Sequence, residues 1–220
     1  MIYVLSDLHG TAPKTLKALL NKAGFSEDDT LFLLGDSIDR GQYGIELLLY
    51  LMDQPNIYHL MGNHEAMLLA VYDLLLAQVT EKSIEALTPE KLGILSTMLA
   101  NGAQPTLDGL KKLSQRDPET TLMLRDYLCD MPLYDSVEVG DRTYLLVHAG
   151  LGGYEKGKKL SAYSADDLTW HRPEKTEQYD FGPDVTVLFG HTPTSYYTRP
   201  AKSSKTAAGG ASIRAMFPLP

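Results

Sequence analysis

The sequence contains little of several features that assign a protein to a common class. It has one cysteine among 220 residues, Cys129, so it has no partner for an internal disulfide, and a reducing compartment is favoured. No apolar run reaches about 18 residues, which predicts no membrane-spanning helix. Positive charge is also scarce: 20 Lys and Arg stand against 28 Asp and Glu, for a net charge of −8. This balance argues against a general nucleic-acid-binding surface.

Length and composition indicate one ordinary globular domain. A chain of 220 residues with 44% hydrophobic content is large enough to bury a sizeable core. The first residues, MIYVLSD, run directly into a polar motif and leave no room for a signal peptide. We therefore predict a cytoplasmic protein with no membrane partner and no nucleic-acid partner, and the sequence leaves the oligomeric state open. Cys129 lies in LRDYLCDM at helical spacing, which predicts a core residue rather than a nucleophile.

Five short polar strings follow apolar runs and carry the side chains that hold metal ions. The strings are SDLHG at 6–10, GDSIDRG at 35–41, GNHE at 62–65, HAG at 148–150 and GHT at 190–192. A pair of divalent ions roughly 3.5–4 Å apart needs a bridging carboxylate, further ligands on each side, and open positions for water and substrate oxygens. The strings supply such a set of six ligands: Asp7, His9, Asp36, Asn63, His148 and His191.

Asp36 is the natural bridge between the two ions. The remaining ligands divide into an early group, Asp7 and His9, and a later group, Asn63, His148 and His191. Mixed Asp, Asn and His ligands suit a borderline ion better than calcium, which prefers all-oxygen shells. The predicted cofactor is a pair of divalent metal ions, with manganese first and iron or zinc as alternatives. Any one of these residues alone is more often a structural histidine, a turn residue or a helix cap, and only the conjunction indicates a site.

Alternation of strand, polar loop and helix predicts an α/β fold. Short apolar runs at 2–5, 31–34 and 57–61 each end in one of the strings, and helical patterns follow them. Parallel strands of such a unit bring their carboxyl ends to one edge of the sheet, where ligands gather. Residues 66–131 read as an all-helical insertion, and SVEVGDRTYLLVHAG reads as a hairpin turning at Gly140-Asp141.

Two further segments have predicted roles of their own. Residues 151–180 are polar and contain glycines, which predicts a long surface connection that lines a substrate groove. Residues 201–220 change composition towards Ala, Lys, Ser and Gly, which predicts a disordered tail after a domain that spans 1–200.

The five motifs, in this order, resemble the PPP-type serine/threonine metallophosphatases of the calcineurin-like metallophosphoesterase superfamily, and the small bacterial members in particular. The resemblance covers residues 1 to about 197. It implies a four-layer sandwich of two mixed β-sheets flanked by helices, with a dinuclear metal centre at the sheet edge. It also implies that Asp7, His9 and Asp36 hold one ion, and that Asp36, Asn63, His148 and His191 hold the other.

The same resemblance assigns roles to four more residues. His64 of GNHE is implied as the general acid that protonates the leaving oxygen, and Asp39 as the carboxylate that orients it, which agrees with the behaviour of an imidazole beside a carboxylate. Arg40 is implied to grip phosphate oxygens together with Asn63, and Arg172 of WHR is similar to a second phosphate-binding arginine. His59 has no motif around it and is predicted to be structural, whereas the sequence leaves the role of His171 open.

The chain departs from this family pattern in two places. Ser6 occupies the position at which a glycine often opens the first motif of the family. The same serine is seen in bacterial relatives. After GHTPT, an Ile-Asp-x-Gly type core strand usually follows, and nothing like it occurs before Pro220. A truncated or frame-shifted end would explain this difference, and it puts the completion of the second sheet and the firmness of the His191 loop in question.

The resemblance implies a phosphomonoesterase that acts on a phosphorylated protein or peptide through attack by a metal-bridged hydroxide. Relatives that cleave dinucleoside polyphosphates share the metal core, but they tend to have Asp after the histidine of the third motif and a different residue in place of Asp39. Glu65 and Asp39 favour the protein phosphatase branch. An inactive metal-binding relative, impaired by its C-terminus, is a further alternative.

Overall fold

A computed structural model describes residues 1–77, 87–198 and 214–218 of the chain. Its first sheet has four strands in the order β3-β2-β1-β7, and β1, β2 and β3 are parallel while β7 is antiparallel to β1. The strands are β1 (Ile2–Ser6), β2 (Thr30–Leu33), β3 (Ile57–His59) and β7 (Arg214–Pro218). The three parallel strands confirm the strand-loop-helix pattern that the sequence predicts.

The second sheet has three strands in the order β4-β5-β6. They are β4 (Tyr134–Val139), β5 (Arg142–Val147) and β6 (Val185–Leu188). Strands β4 and β5 form the predicted antiparallel hairpin, which turns at Gly140 with a positive φ of 59°, and β6 runs parallel to β5. Both sheets are therefore mixed, and β5 and β6 end on the same side.

Helices cover the first sheet and make up most of the described chain between β3 and β4. They are α1 (Pro13–Lys22), α2 (Gly44–Met52), α3 (Asn63–Leu76), α4 (Pro89–Ala100), α5 (Gln104–Arg116), α6 (Pro118–Cys129), α7 (Ala165–Thr169) and α8 (Thr194–Thr198). A proline in the first turn opens α1, α4 and α6, where its missing N–H costs no helical hydrogen bond. The side chains of Thr88 and Asp117 cap α4 and α6.

Alternating side chains place the strands between two apolar layers. On β1, Val4 faces the second sheet and packs with Phe32, Tyr144 and Leu146, whereas Leu5 faces α1 and α2. The outer face of the second sheet is covered by α7 and by residues from the 151–181 segment. Burial of each such apolar side chain stabilises the fold by roughly 1.5–3 kcal/mol. The order of layers is helices, sheet, sheet and outer cover, as the predicted four-layer α/β sandwich requires.

Helices α3 to α6 form a cluster of their own beside α2. Leu68, Met98, Leu110 and Leu124 are buried at its centre. Cys129 at the end of α6 is exposed, so the prediction of a core position for it is wrong. The helical spacing was real, but the apolar face of α6 is carried by Leu124 and Leu128 rather than by the cysteine.

Part of the segment 201–220 differs from the predicted disordered tail. Residues 199–213 and 219–220 lie outside the described part of the chain, but Arg214–Pro218 form β7 and pair with β1, so predicted disorder is wrong for these five residues. The pairing matches Val4 with Phe217 and shifts register between Val4 and Ser6. Strand β7 covers the edge of β1, whose backbone N–H and C=O groups would otherwise stay unpaired. Five residues without an alternating pattern gave no local signal for this long-range pairing.

The 151–180 segment is more ordered than a simple surface connection. It contains a 3₁₀ turn at Leu160–Ala162 and the helix α7, and it buries Tyr163 and Leu168 against the second sheet. Across residues 1–77, 87–198 and 214–218, no helix combines the length and the apolar character needed to cross a membrane.

Candidate metal centre

The loops that follow five strands meet at one end of the two sheets. The first three, after β1, β2 and β3, carry Asp7, Asp36 and Asn63, and the other two, after β5 and β6, carry His148 and His191. Within the described residues, two groups of side chains place one possible ligand atom each within 4.8 Å of the others. One group is His9, Asp36 and His64, and the other is Asp36, His148 and His191. Asp36 belongs to both, which is the geometry that a bridging carboxylate requires.

The first group is arranged around the Nε2 atom of His9. This atom lies 3.8 Å from Asp36 Oδ2 and 3.9 Å from Asp7 Oδ1. His9 Nδ1 donates to the carbonyl oxygen of Ile38 at 3.1 Å, which leaves Nε2 as the acceptor that faces the carboxylates. Asp7 lies at the rim, and its Oδ2 accepts the backbone N–H of His191 at 3.0 Å. The ring of His9 is thus oriented by the chain for a cation at Nε2.

The second group surrounds the Nε2 atom of His148. It lies 3.1 Å from Asn63 Oδ1, 3.2 Å from His191 Nδ1 and 3.3 Å from Asp36 Oδ1. His148 Nδ1 donates to the carbonyl oxygen of Leu34, which directly follows β2 of the first sheet. With Nδ1 bonded to Leu34, the remaining ring nitrogen Nε2 faces these three atoms of the centre.

The chemistry of these atoms fits a cation. Asn63, His191 and Asp36 each place an oxygen or nitrogen atom within 3.3 Å of His148 Nε2. With its amide nitrogen turned inward, Asn63 donates to His148, His191 and Asp36 at 3.0–3.3 Å. Burial acts to lower the pKa of His148, but Asp36 outweighs it and raises that pKa to about 9. Burial and the neighbouring His148 lower the pKa of His191 to about 3. The cluster attracts positive charge, as a metal site does.

Strained backbone is concentrated in the same loops. Six non-glycine residues among those described have positive φ angles, between 39° and 66°. They are Asp7, His9, Asp36, Asp39, Arg40 and His191. Such left-handed conformations are uncommon for residues other than glycine and cluster at functional sites, where the surrounding structure enforces them. Every one of the six lies in a motif that the sequence singles out.

A second buried acid-imidazole pair adjoins Asp36. His64 Nδ1 donates to Asp39 Oδ2 at 2.6 Å, and both side chains are at most 1% exposed. This bond directs His64 Nε2 towards the centre, where it lies 3.8 Å from Asp36 Oδ2. Burial opposes a charge on His64, but Asp36 and Asp39 raise its pKa above the ordinary value. The imidazole is therefore held as a proton donor facing the centre.

Glu65 positions the loops that follow β2 and β3. From the sequence alone, this residue served only to favour one branch of the family over another. Its fully buried carboxylate accepts backbone N–H groups from Asp36 at 2.8 Å, Ser37 at 2.7 Å, Ile38 at 3.3 Å and Gly62 at 3.1 Å. It thereby ties the second motif loop to the third. Burial and the nearby Asp36 raise the pKa of Glu65 to about 7. The sequence feature that could have indicated this role is its position directly after Asn63 and His64, in the first turn of α3.

The third loop also depends on a glycine for close approach. A Cβ atom at Gly62 would overlap the backbone nitrogen and the Oδ1 atom of Asp36 and would meet the Glu65 carboxylate. No other residue would let the start of α3 lie this close to Asp36. The spacing between Asp36 and Asn63 therefore follows from this glycine.

The two predicted phosphate-binding arginines are both exposed, Arg40 in the loop after β2 and Arg172 in the 151–180 segment. Arg40 donates its backbone N–H to the carbonyl of Gly102 at 2.8 Å, and its charge contributes, after burial, to a lowered pKa of His9. Arg172 likewise contributes, after burial and His148, to the lowered pKa of His191. Each guanidinium is thus close to one group of candidate ligands.

The comparisons with known proteins agree with this architecture. A model of the calcineurin-like phosphoesterase family matches residues 1–203. The chain belongs to this family. The symmetrical bis(5'-nucleosyl)-tetraphosphatase of Yersinia pestis (strain Pestoides F) is 39% identical over 72 residues, which cover 32% of this chain and 25% of that protein. The chain thus matches about a quarter of the length of its curated relatives.

Two solved structures resemble this calcineurin-like phosphoesterase. One is provisionally named a diadenosine tetraphosphatase. Its match has a TM-score of 0.47 and 19% sequence identity, and it covers 76% of this chain and 57% of the other chain. The other is a serine/threonine phosphatase from Saccharomyces cerevisiae with similarity to human phosphatase PP5, with a TM-score of 0.44, 20% identity, and coverage of 80% and 45%.

A cavity of about 320 Å³ adjoins the segment that carries Arg172. It is lined by Pro173, Glu174, Lys175, Glu177, Tyr179, Phe189 and Tyr197. Pro173 follows Arg172 in the chain, and Phe189 lies two residues before His191. Part of this wall belongs to the 151–180 segment, which the sequence predicts to line a substrate groove.

Proposed function

We propose that this calcineurin-like phosphoesterase is a dinuclear-metal phosphomonoesterase that removes phosphate from phosphoserine and phosphothreonine in proteins. The observation that carries the proposal is the buried bond of 2.6 Å between His64 Nδ1 and Asp39 Oδ2 beside the shared Asp36. A serine or threonine alkoxide is a strong base and leaves poorly unless it is protonated. A positioned imidazole that carries a proton supplies this assistance.

The chain's own residues divide the work. We assign Asp7, His9 and Asp36 to one ion and Asp36, Asn63, His148 and His191 to the other. A bound pair of divalent ions supplies neutralisation of the phosphate charge and an activated water. Asp39 holds His64 so that Nε2 faces the centre, and that atom donates its proton to the departing oxygen.

Substrate binding falls to the two exposed arginines and the groove around them. A planar guanidinium matches two phosphate oxygens at once, so Arg40 and Arg172 suit the two sides of a phosphate at the centre. Asn63 faces the same space through its amide. The adjoining cavity, with Tyr179, Phe189 and both Lys175 and Glu174 on its wall, offers contacts for peptide side chains next to the phosphate.

Hydrolysis of dinucleoside polyphosphates is the second candidate function. It is favoured by the 39% identity over 72 residues to a symmetrical bis(5'-nucleosyl)-tetraphosphatase. The Asp39–His64 pair favours the first candidate, because a nucleoside diphosphate leaves as a weak base and gains little from a proton donor. The two functions therefore differ in how strongly they should depend on His64.

The deciding experiment compares wild type with His64→Asn on three substrates in the presence of manganese: a phosphoserine peptide, p-nitrophenyl phosphate and diadenosine tetraphosphate. We expect turnover of the phosphopeptide to fall roughly 10²–10⁴-fold in the variant. Turnover of p-nitrophenyl phosphate, which has a good leaving group, should fall much less. Metal content measured by elemental analysis should stay unchanged.

Each other outcome has a defined meaning. Preferential hydrolysis of diadenosine tetraphosphate by the wild type would establish the second candidate function. An equal loss on all three substrates would remove the proton-donor role from His64. Bound metal without any phosphate release from p-nitrophenyl phosphate would indicate an inactive metal-binding relative.

A further inference from the structure

The segment that carries Arg172 is held by a chain of hydrogen bonds around Glu177. His171 Nε2 lies 2.7 Å from Glu177 Oε1, and the Tyr179 hydroxyl donates to the same oxygen at 2.8 Å. The other oxygen, Oε2, accepts the backbone N–H of Glu174 at 3.2 Å, and the backbone N–H of Glu177 donates to the Glu174 carbonyl at 3.0 Å. One carboxylate thus closes the loop on both sides of Arg172.

The same network is anchored beside a candidate metal ligand. The Tyr179 hydroxyl accepts the backbone N–H of Leu151 at 3.0 Å, three residues after His148. Gly150 packs so closely that an added Cβ would come 2.7 Å from Pro173 and 2.8 Å from the Tyr179 hydroxyl. The loop that carries Arg172 is therefore pinned to the loop after β5 rather than projecting freely into solvent.

We propose that Glu177 is a positioning residue that fixes the Arg172 guanidinium for substrate phosphate, acting through His171 and Tyr179. The proposal rests on the proposed function, in which Arg172 grips phosphate. Arg172 is exposed, and a free arginine loses much rotamer entropy when it orders on a ligand. Fixing the backbone on both sides of it lowers this cost, because His171 precedes Arg172 and the buried Pro173 follows it.

This placement of Arg172 differs from that of Arg40. Arg40 lies inside a motif, has a left-handed backbone, and is held by a backbone bond to Gly102. Arg172 has an ordinary backbone conformation, and its placement depends on side-chain bonds from Glu177, which lies five residues further along the chain. A substitution at Glu177 should therefore affect Arg172 and not Arg40.

The test is a double-mutant cycle in the manganese-loaded protein with Glu177→Ala, Arg172→Ala and the double variant. Two readouts are used: the Kd of inorganic phosphate by isothermal titration calorimetry, and kcat and KM on p-nitrophenyl phosphate. We expect Glu177→Ala to weaken phosphate binding and raise KM roughly tenfold, with kcat changed less than about twofold. In the Arg172→Ala background, Glu177→Ala should change Kd less than about twofold, because the residue through which it acts is gone.

Matched variants separate positioning from loss of structure. Glu155→Ala removes an exposed carboxylate elsewhere in the 151–180 segment, and phosphate binding should remain at the wild-type level. Glu177→Gln keeps an acceptor for His171 and Tyr179, and it should recover most of the lost affinity. Thermal unfolding of each variant checks that the fold is intact.

The outcomes decide the proposal separately from the proposed function. Equal effects of Glu177→Ala with and without Arg172, or a fall in kcat at constant KM, would overturn the positioning role. A wild type that binds phosphate, shows the expected coupling and turns over no ester would support the positioning role while contradicting the proposed function. A wild type that does not bind phosphate would overturn both.

Discussion

The candidate centre has two sides that are built in different ways. On the first side, His9 and His64 meet Asp36, and the bonds Asp7 N–H to Gly35 and His9 N–H to Asp36 extend the β1–β2 pairing into the loops. On the second side, His148 and His191 come from the other sheet and are oriented by groups of the first: Leu34 for His148 and Asp7 for His191. The first side is locally determined, whereas the second depends on how the sheets pack.

Loss of Asp36, the carboxylate that both ligand groups share, should disrupt both sides of the centre. Asp36→Asn removes a charge from both ligand groups, and a metal pair contributes several kcal/mol of transition-state stabilisation, so turnover should fall by about 10³-fold or more. Elemental analysis should find fewer than two manganese ions per chain. If the variant retained both ions and its activity, Asp36 would not be the bridge.

Glu65 should affect the first side more than the second. Its carboxylate accepts four backbone N–H groups from the loops around Asp36, so Glu65→Gln leaves at least one of them facing an amide N–H. We expect manganese affinity to fall by roughly 10–100-fold while most of the fold persists. Calorimetric titration of the metal-free protein with manganese measures the effect. Glu46→Gln on α2, an exposed glutamate, serves as the control.

His59 packs beneath the first side of the centre, and its contribution to the free energy of unfolding should depend on pH. It is buried, with Nε2 2.9 Å from Ser37 Oγ and Nδ1 3.2 Å from the Tyr127 hydroxyl. Burial lowers the pKa of His59 to about 3, so in acid the unfolded chain binds a proton that the folded chain does not. Stability is therefore lost as pH falls below about 6.5, by an amount on the order of 2 kcal/mol at pH 5.

The comparison variant for this effect is His59→Gln, which cannot be protonated. Urea unfolding of both proteins at pH 7 and pH 5 isolates the contribution, because the other titrating groups are common to the two. The wild type should lose more stability than the variant over this interval. Equal losses would show that His59 is accommodated in its charged form.

Sequence reasoning succeeded where the structure is local. Asp7, His9 and Asp36 lie directly after strands whose apolar runs are readable, and parallel pairing then brings them to one edge. Asn63 follows β3 of the same sheet, whereas the approach of His148 and His191 depends on how the two sheets pack, which no local pattern predicts. The fold's helices and the β4–β5 hairpin followed from periodicity and turn chemistry in the same way.

Contacts between distant segments account for what was missed. Glu65 reads as an ordinary first-turn acid of α3, and only the approach of Gly62 to Asp36 turns it into an acceptor for two loops. Glu177 lies outside the five motifs, and its bonds to His171 and Tyr179 depend on how the 151–180 segment folds back on itself. The pairing of β7 with β1 spans almost the whole chain, so neither periodicity nor composition could predict it.

Removal of metal should loosen the second side more than the first. The backbone N–H of His191 donates to Asp7, which follows β1, so it reports on the contact between the sheets. The backbone N–H of Gly190 donates to the His148 carbonyl and reports on the adjoining loops of the second sheet. We expect chelation with EDTA to speed amide exchange in 188–192 several-fold while 5–10 changes little. Hydrogen exchange followed by mass spectrometry measures both segments, and a uniform change would mean that the two sides are held alike.

Cys129 should respond least of all, because it lies on neither side of the centre. It is exposed at the end of α6, and the adjoining helical core is formed by Leu124 and Leu128. Cys129→Ser should therefore change the free energy of unfolding by no more than about 0.5 kcal/mol. Activity and manganese stoichiometry should match the wild type, and alkylation of the thiol with iodoacetamide should be equally silent. A loss of activity on alkylation alone would reveal that a bulky group at the end of α6 is felt at the centre through α3.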